Sequence, residues 1–150
     1  MIREATINDI SQLHSIRMAA KENALSNPLI VQEKDYVSFL TERGKGWLYQ
    51  MDDRIVGFAI VDVLKKNVWA LFVHPHYEKK GIGRQLHDVM LNWYFTNGND
   101  FLWLCTAPQT RAEAFYKKAG WHCVALMENG ELKFEMQRKQ TSDLKMPDLR

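Results

Sequence analysis

The chain has 150 residues, 46% hydrophobic and 25% charged, which fits one globular domain and excludes a disordered tail, a collagen-like fibre and a coiled coil. A formal charge of +2, from 20 Lys and Arg against 18 Asp and Glu, argues against a protein built to coat nucleic acid. A domain this long can bury roughly 70% of its unfolded surface, so it needs no disulfide or metal staple. The two cysteines, Cys105 and Cys123, read as reduced, buried thiols. The opening MIREATINDI has no apolar signal region, and no stretch reaches the roughly 20 apolar residues of a membrane span. By elimination the expected location is cytoplasmic, with neither membrane nor nucleic acid as a partner.

The elements follow in chain order. Met1 to Ala5 reads as a short strand. Thr6 stands as an N-cap with Asp9 three residues on. Ile7, Ile10, Leu13, Ile16 and Ala20 then repeat at helical spacing. Asn27-Pro28 interrupts the chain. The pattern predicts a second helix from about Gln32 to Arg43, with Tyr36, Phe39, Leu40 and Arg43 on one side and Gly44 and Gly46 ending it. Three strands come next: Trp47 to Met51, Ile55 to Leu64 and Val68 to Val73. They are joined by turns at Asp52-Asp53-Arg54 and Lys65-Lys66-Asn67 in an antiparallel meander.

In the second half, Ile82, Leu86, Val89, Met90 and Trp93 predict a helix that stops at Asn97-Gly98. Phe101 to Thr106 is a buried strand. Ala112, Phe115, Tyr116 and Ala119 give a short helix ending at Gly120. Trp121 to Met127 and Leu132 to Gln137 flank Asn129-Gly130, a strong hairpin signal. The fold class is therefore α/β (α+β): helices packed on a mixed, mostly antiparallel sheet of about seven strands, with about four helices. One domain spans 1–138, and 139–150 is a polar tail.

The segment that carries chemistry is VWALFVHPHYEKKGIGRQLHDVML, residues 68–91. A buried strand feeds a loop with Gly81-Ile82-Gly83, and a helix starts at once. Glycines let backbone N–H groups approach a ligand closely. The first N–H groups of a helix lack internal partners and sit at the positive end of its dipole. The turn is thus an anion site suited to phosphate, and Lys79, Lys80 and Arg84 add positive charge around it.

This segment resembles motif A of the GNAT superfamily, the acetyl-coenzyme A dependent N-acetyltransferases, whose pattern is Arg/Gln-x-x-Gly-x-Gly/Ala. The matching stretch is Glu78-Lys79-Lys80-Gly81-Ile82-Gly83. The resemblance implies that these amides hold the coenzyme's pyrophosphate, and that Leu71, Phe72 and Val73 pair with its pantetheine arm. Residues 110–121, TRAEAFYKKAGW, are similar to motif B, and Tyr116 falls on the tyrosine taken to protonate the leaving thiolate. The element order agrees with the family over residues 2–138.

Two positions depart from the pattern. Glu78 stands where the family usually has Arg or Gln, and a carboxylate there repels pyrophosphate unless it points away. Gln109, seven residues before Tyr116, stands where members often carry Asn to bind the coenzyme; Gln makes similar amide bonds with a longer reach. The general base is open between Asp62, His74 and water. Asp62 reads as a strand-end residue facing solvent and His74 as a turn residue before Pro75. His74 and His76 read as splayed by strand alternation rather than as a metal pair, and no metal is expected. Cys105 reads as core.

The segment from Asn23 to Tyr36 lies where the family builds its acceptor wall, and Glu22, Glu33 and Asp35 there would suit an amine, though a solvated helix face explains them equally well. The reading that follows is an N-acetyltransferase using acetyl-coenzyme A. Its amine attacks the thioester directly, with a strand-end N–H near Phe72 or Val73 as oxyanion donor. The acceptor is a small-molecule or protein amine, and the family resemblance makes a homodimer an expectation. The alternative is a non-catalytic acyl-coenzyme A sensor with the same fold.

Overall fold

The computed structural model describes residues 1–20 and 31–138. The elements are β1 (Ile2–Glu4), α1 (Ile10–Ala19), α2 (Asp35–Thr41), β2 (Gly44–Met51), β3 (Arg54–Asp62), β4 (Asn67–Val73), α3 (Ile82–Thr96), β5 (Phe101–Thr106), α4 (Arg111–Lys118), β6 (His122–Leu126) and β7 (Leu132–Gln137). Element order and class agree with the expectation from the sequence. The tail at 139–150 and the Asn27-Pro28 break lie outside the described residues.

The sheet has the order β1-β2-β3-β4-β5-β7-β6 and is antiparallel except between β4 and β5. That parallel pair is in register only at Asn67↔Trp103. Trp103 also pins this end through its backbone N–H to Lys66 O at 3.0 Å and its Nε1 to Lys65 O at 3.0 Å. Beyond it the two strands diverge, and the V-shaped opening becomes the site.

Two apolar clusters cover the two faces. On one, α1 and α2 lay Ile10, Leu13, Ile16 and Tyr36 on Leu48, Phe58, Ile60 and Ala70. On the other, Ile82, Leu86, Met90 and Tyr94 of α3 and Tyr116 of α4 pack with Trp47, Val56, Val61, Leu104 and Phe134. Each such buried aliphatic or aromatic side chain contributes roughly 1.5–3 kcal/mol.

The core-facing stripe of α3 is Ile82, Leu86, His87, Met90 and Tyr94, while Val89 and Trp93 are only partly buried. The polar members His87 and Tyr94 are concealed in the sequence because each needs a distant partner to be buried. The Tyr94 hydroxyl donates to Phe101 O at 2.6 Å, and burial pushes its pKa up to about 12. Asp9 completes its half of the expected cap, accepting from the Thr6 N–H at 2.8 Å, and pairs with Arg3.

Four expectations are corrected. The second helix is only Asp35–Thr41, because Lys34 is its N-cap and Asp35 turns back to accept from the Gln32 N–H at 2.7 Å. Gly44 and Gly46 do not end a helix but lie in β2. A Cβ on Gly44 would stand 1.8 Å from Val61 O, so glycine is required by close backbone approach rather than by a turn. Asp62 is buried, not solvent-facing: Arg43 Nη2 donates to it at 2.6 Å and the Lys65 N–H at 3.1 Å. Cys123 is exposed because β6 is a sheet-edge strand whose residues are all exposed.

His87 gives the fold a pH dependence. Trp121 Nε1 can only donate, and it meets His87 Nε2 at 2.9 Å, so the ring proton sits on Nδ1, 2.9 Å from Asp88 Oδ1. Burial lowers the His87 pKa, outweighing Asp88. The unfolded chain then binds more protons, so stability is full above the unfolded histidine value of about 6.5 and falls as pH drops below it. In thermal melts across this range, His87→Gln, which still accepts from Trp121 but does not titrate, flattens the acid limb.

Candidate active site

The divergence of β4 and β5 opens a cavity of about 850 Å³ that passes through the sheet. Its floor is β4 from Asn67 to Val73 and β5 from Trp103 to Thr106. The loop after β4 supplies Pro75, Tyr77, Glu78 and Lys79, α3 supplies Ile82, Gly83 and Arg84, and α4 supplies Arg111, Ala112, Phe115 and Tyr116.

The turn at the start of α3 is shaped by local chemistry. Pro75 opens a 3-10 turn, Pro75–Tyr77, after which Lys79 (φ 64°) and Gly81 (φ 81°) both adopt left-handed backbone. Glycine takes this conformation without strain. The first helical bond runs from the Gln85 N–H to Gly81 O at 3.1 Å. The N–H groups of Ile82, Gly83 and Arg84 precede it and lack intrahelical acceptors, so they suit an anion. In front of Gly81 the space is open, since a Cβ there would meet only Gln85 Nε2, at 4.0 Å. Lys79 and Arg84 line the cavity, and Arg84 also donates to Asp88 at 3.1 Å. The donor set and the open cradle fit a pyrophosphate.

Of the residues singled out in the sequence, Leu71, Phe72, Val73, Lys79, Gly81, Ile82, Gly83, Arg84 and Tyr116 all line this cavity. Lys80 and Gln109 do not. Lys80 is exposed, and the Gln109 N–H is turned to Glu113 Oε1 at 2.6 Å, with the residue itself at φ 59°. Backbone N–H groups alternate sides along a strand. The His74 N–H donates to Val56 O of β3 at 2.8 Å. By alternation the N–H groups of Leu71 and Val73 face away from β3 into the opening, and that of Phe72 does not.

Tyr116 is buried, with its ring against Trp121 at 5.6 Å and Phe134 at 6.3 Å. Burial raises its pKa well above that of a free phenol, so it stays protonated across the physiological range.

The general-base side chains named in the sequence, Asp62 and His74, lie elsewhere. Asp62 is tied to Arg43 and does not line the cavity. His74 is a turn residue: its Nδ1 accepts from the His76 N–H at 3.1 Å, and it too is off the cavity wall. The two histidine rings are not splayed but meet edge to face at 4.9 Å, because the 3-10 turn replaces strand alternation. Among the described residues no group of three or more His, Cys, Asp or Glu is placed to hold a metal ion. Glu22 and Asn23 lie outside the described residues. Glu33 is exposed and Asp35 is turned back to the Gln32 N–H, and neither lines the cavity.

Among the lining residues that sequence reasoning did not assign to the site, four carry charge or a thiol. Arg17 reaches the cavity from α1. Glu131 reaches it from the turn before β7, where it accepts from Asn129 Nδ2 at 2.9 Å. Cys105 is half-buried on the cavity wall rather than in the core, since alternation along β5 puts Leu104 and Thr106 inside. Arg111 donates to the Glu78 carboxylate across the mouth of the cavity. Only Arg111 had a usable signal, as a cation in the first turn of a motif-bearing helix.

The Arg111–Glu78 pair accounts for the unusual Glu78: its charge is met by a cation from α4 rather than left facing the anion turn. Exposed pairs contribute about 0–1 kcal/mol, so a bound diphosphate can displace this one. Glu78→Gln should therefore tighten coenzyme A binding by up to about 5-fold in calorimetry with little change in melting temperature.

A family model described as the acetyltransferase (GNAT) family matches residues 10–121. The chain belongs to the GNAT acetyltransferase family. Among curated relatives of this GNAT chain is the [ribosomal protein bS18]-alanine N-acetyltransferase of Salmonella typhimurium, 28% identical over 100 residues, covering 65% of this chain and 68% of that one. The GNAT fold recurs in the ribosomal-protein-S18-alanine N-acetyltransferase of Escherichia coli, with TM-score 0.77 at 19% identity over 97% and 99% of the two chains. It recurs also in yncA from Salmonella typhimurium, solved with its cofactor acetyl-CoA, with TM-score 0.77 at 18% identity over 95% of each chain. Among the described residues of the GNAT chain, no helix is long and apolar enough to cross a membrane.

Proposed function

We propose that this GNAT enzyme transfers an acetyl group from acetyl-coenzyme A to a primary amine by direct attack. The observation that carries the reading is the cavity between β4 and β5, which joins the glycine turn at α3 to Tyr116 of α4. Acetyl-coenzyme A supplies an activated thioester: the amine nitrogen bonds to the acetyl carbon, the C–S bond breaks, the sulfur leaves with the electron pair, and one ammonium proton is released as the thiol gains one.

The residues divide this work. The N–H groups of Ile82, Gly83 and Arg84, with Lys79 and Arg84 side chains, hold the diphosphate. The free edge of β4 at Leu71 and Val73 accepts an extended arm as an added strand. The Val73 N–H lies at the strand end, where it suits an oxyanion, and stabilises charge developing on the carbonyl oxygen. Tyr116, which burial keeps protonated before the reaction, gives its proton to the sulfur as it departs and regains one from water. Water takes the amine proton, since neither Asp62 nor His74 lines the cavity; Glu131, a carboxylate on the cavity wall, can relay it.

The test is coenzyme A thiol release over a panel of amines comprising amino acids, polyamines and peptides with free N-termini. The reading expects release that depends on one acceptor class. Coenzyme binding with no release from any class would leave a sensor instead.

A further inference from the structure

Arg17 stands on α1 with its guanidinium carbon 4.8 Å from the Trp69 ring centroid and 4.9 Å from that of Phe72. Its Nη1 is buried and has no hydrogen-bond partner among the described residues. The side chain lines the same cavity as the glycine turn and Tyr116. It comes from the opposite face of the sheet, where Trp69 and Phe72 border the cluster under α1 and α2. The Tyr36 hydroxyl, which also meets His14 Nδ1 at 3.0 Å, is a neutral polar neighbour of the guanidinium and offers it a hydrogen bond but no charge.

No carboxylate pairs with Arg17 among the described residues. A guanidinium cannot shed its charge, and ring faces attract it without accepting its N–H donors. A half-buried cation held this way has been largely desolvated in advance for an anion that no described residue supplies.

We propose that Arg17 binds a carboxylate of the acceptor, so that the substrate is a small amino acid carrying amine and carboxylate together. This rests on the acetyltransferase reading. The through-sheet cavity suits the arrangement: the thioester lies on the α3–α4 side, Arg17 on the α1 side, and the amine between them in the β4–β5 opening. A planar, bidentate guanidinium–carboxylate pair also orients the amine, which an ammonium could not do as well. A peptide N-terminus, whose α-carboxylate is tied up as an amide, lacks the group Arg17 takes.

Two readouts on the coenzyme-saturated full chain test this. Common α-amino acids and their α-carboxamides are compared for the thermal shift they produce and for thiol release, in the wild type and in Arg17→Gln. The expected result is that one or more free acids bind and react better than their amides by about 10- to 100-fold. Arg17→Gln should abolish that preference while leaving the amide's values and the coenzyme-induced shift unchanged. Equal behaviour of acid and amide in the wild type, or an equal loss for both in Arg17→Gln, overturns the proposal. So does faster release with peptide N-termini than with any free acid. Arg17-dependent acid binding without thiol release would instead sink the transferase reading and leave the carboxylate site standing.

Discussion

Tyr116→Phe should lower kcat by about 10²- to 10⁴-fold, the contribution of a positioned acid in proton transfer, while leaving coenzyme affinity nearly unchanged. The separation of the two effects follows from the geometry. The ring packs between Trp121, Phe134 and Phe115, and Phe keeps all of those contacts. Burial alone sets the raised pKa of the phenol, so losing the hydroxyl breaks no ion pair. Steady-state thiol release and isothermal titration with coenzyme A read the two halves. An unchanged kcat would remove Tyr116 from the mechanism, and the leaving sulfur would then take its proton from water.

Gly81→Val should weaken coenzyme binding by about 5- to 30-fold, which corresponds to the 1–2 kcal/mol that a left-handed conformation costs a residue with a Cβ. Gly81 sits at φ 81° directly before the three free N–H groups of α3. Valine relieves its strain by leaving that region, and the N–H groups then no longer converge. Gly83 provides the internal contrast. It lies inside the helix, and a Cβ there meets only Val73 Cγ2 at an ordinary 3.5 Å. Gly83→Ala should therefore retain binding within about 2-fold, as expected for a substitution that introduces neither strain nor overlap. Titrations of both variants check this, and equal losses at the two positions would mean that the turn does not hold the diphosphate.

What could be read from the sequence was what short segments encode. The turn Gly81-Ile82-Gly83 announces its close backbone approach and helix start, and Asn129-Gly130 announces its hairpin, because a few adjacent residues determine each. Tyr116 was found through its motif. The elements agree with the periodicities to within a few residues; α2 starts late, at Asp35, whose side chain holds the Gln32 N–H in the turn before the helix.

The opening itself was not legible. It depends on β4 and β5 pairing at Asn67↔Trp103 alone, a relation between strands that neither strand's composition records. Asp62 looked like a solvated strand end because its partner Arg43 lies 19 residues away. Glu78 looked like a defect because Arg111, 33 residues on, was not assigned to it. Arg17 carries no signal in the sequence; only the fold shows it against Trp69 and Phe72 at the cavity. In each case a charged residue was read by its neighbours in the chain, whereas its role is set by its neighbours in space.

The central claim is that the cavity between β4 and β5 is a coenzyme site, and thermal unfolding of the wild type with increasing acetyl-coenzyme A tests it most directly. Binding to the folded state alone must raise the melting temperature progressively with ligand, by about 2.7 kcal/mol of added stability at 100 times Kd. The account predicts that rise, reduced in Gly81→Val and retained in Tyr116→Phe; no shift at millimolar acetyl-coenzyme A would contradict it.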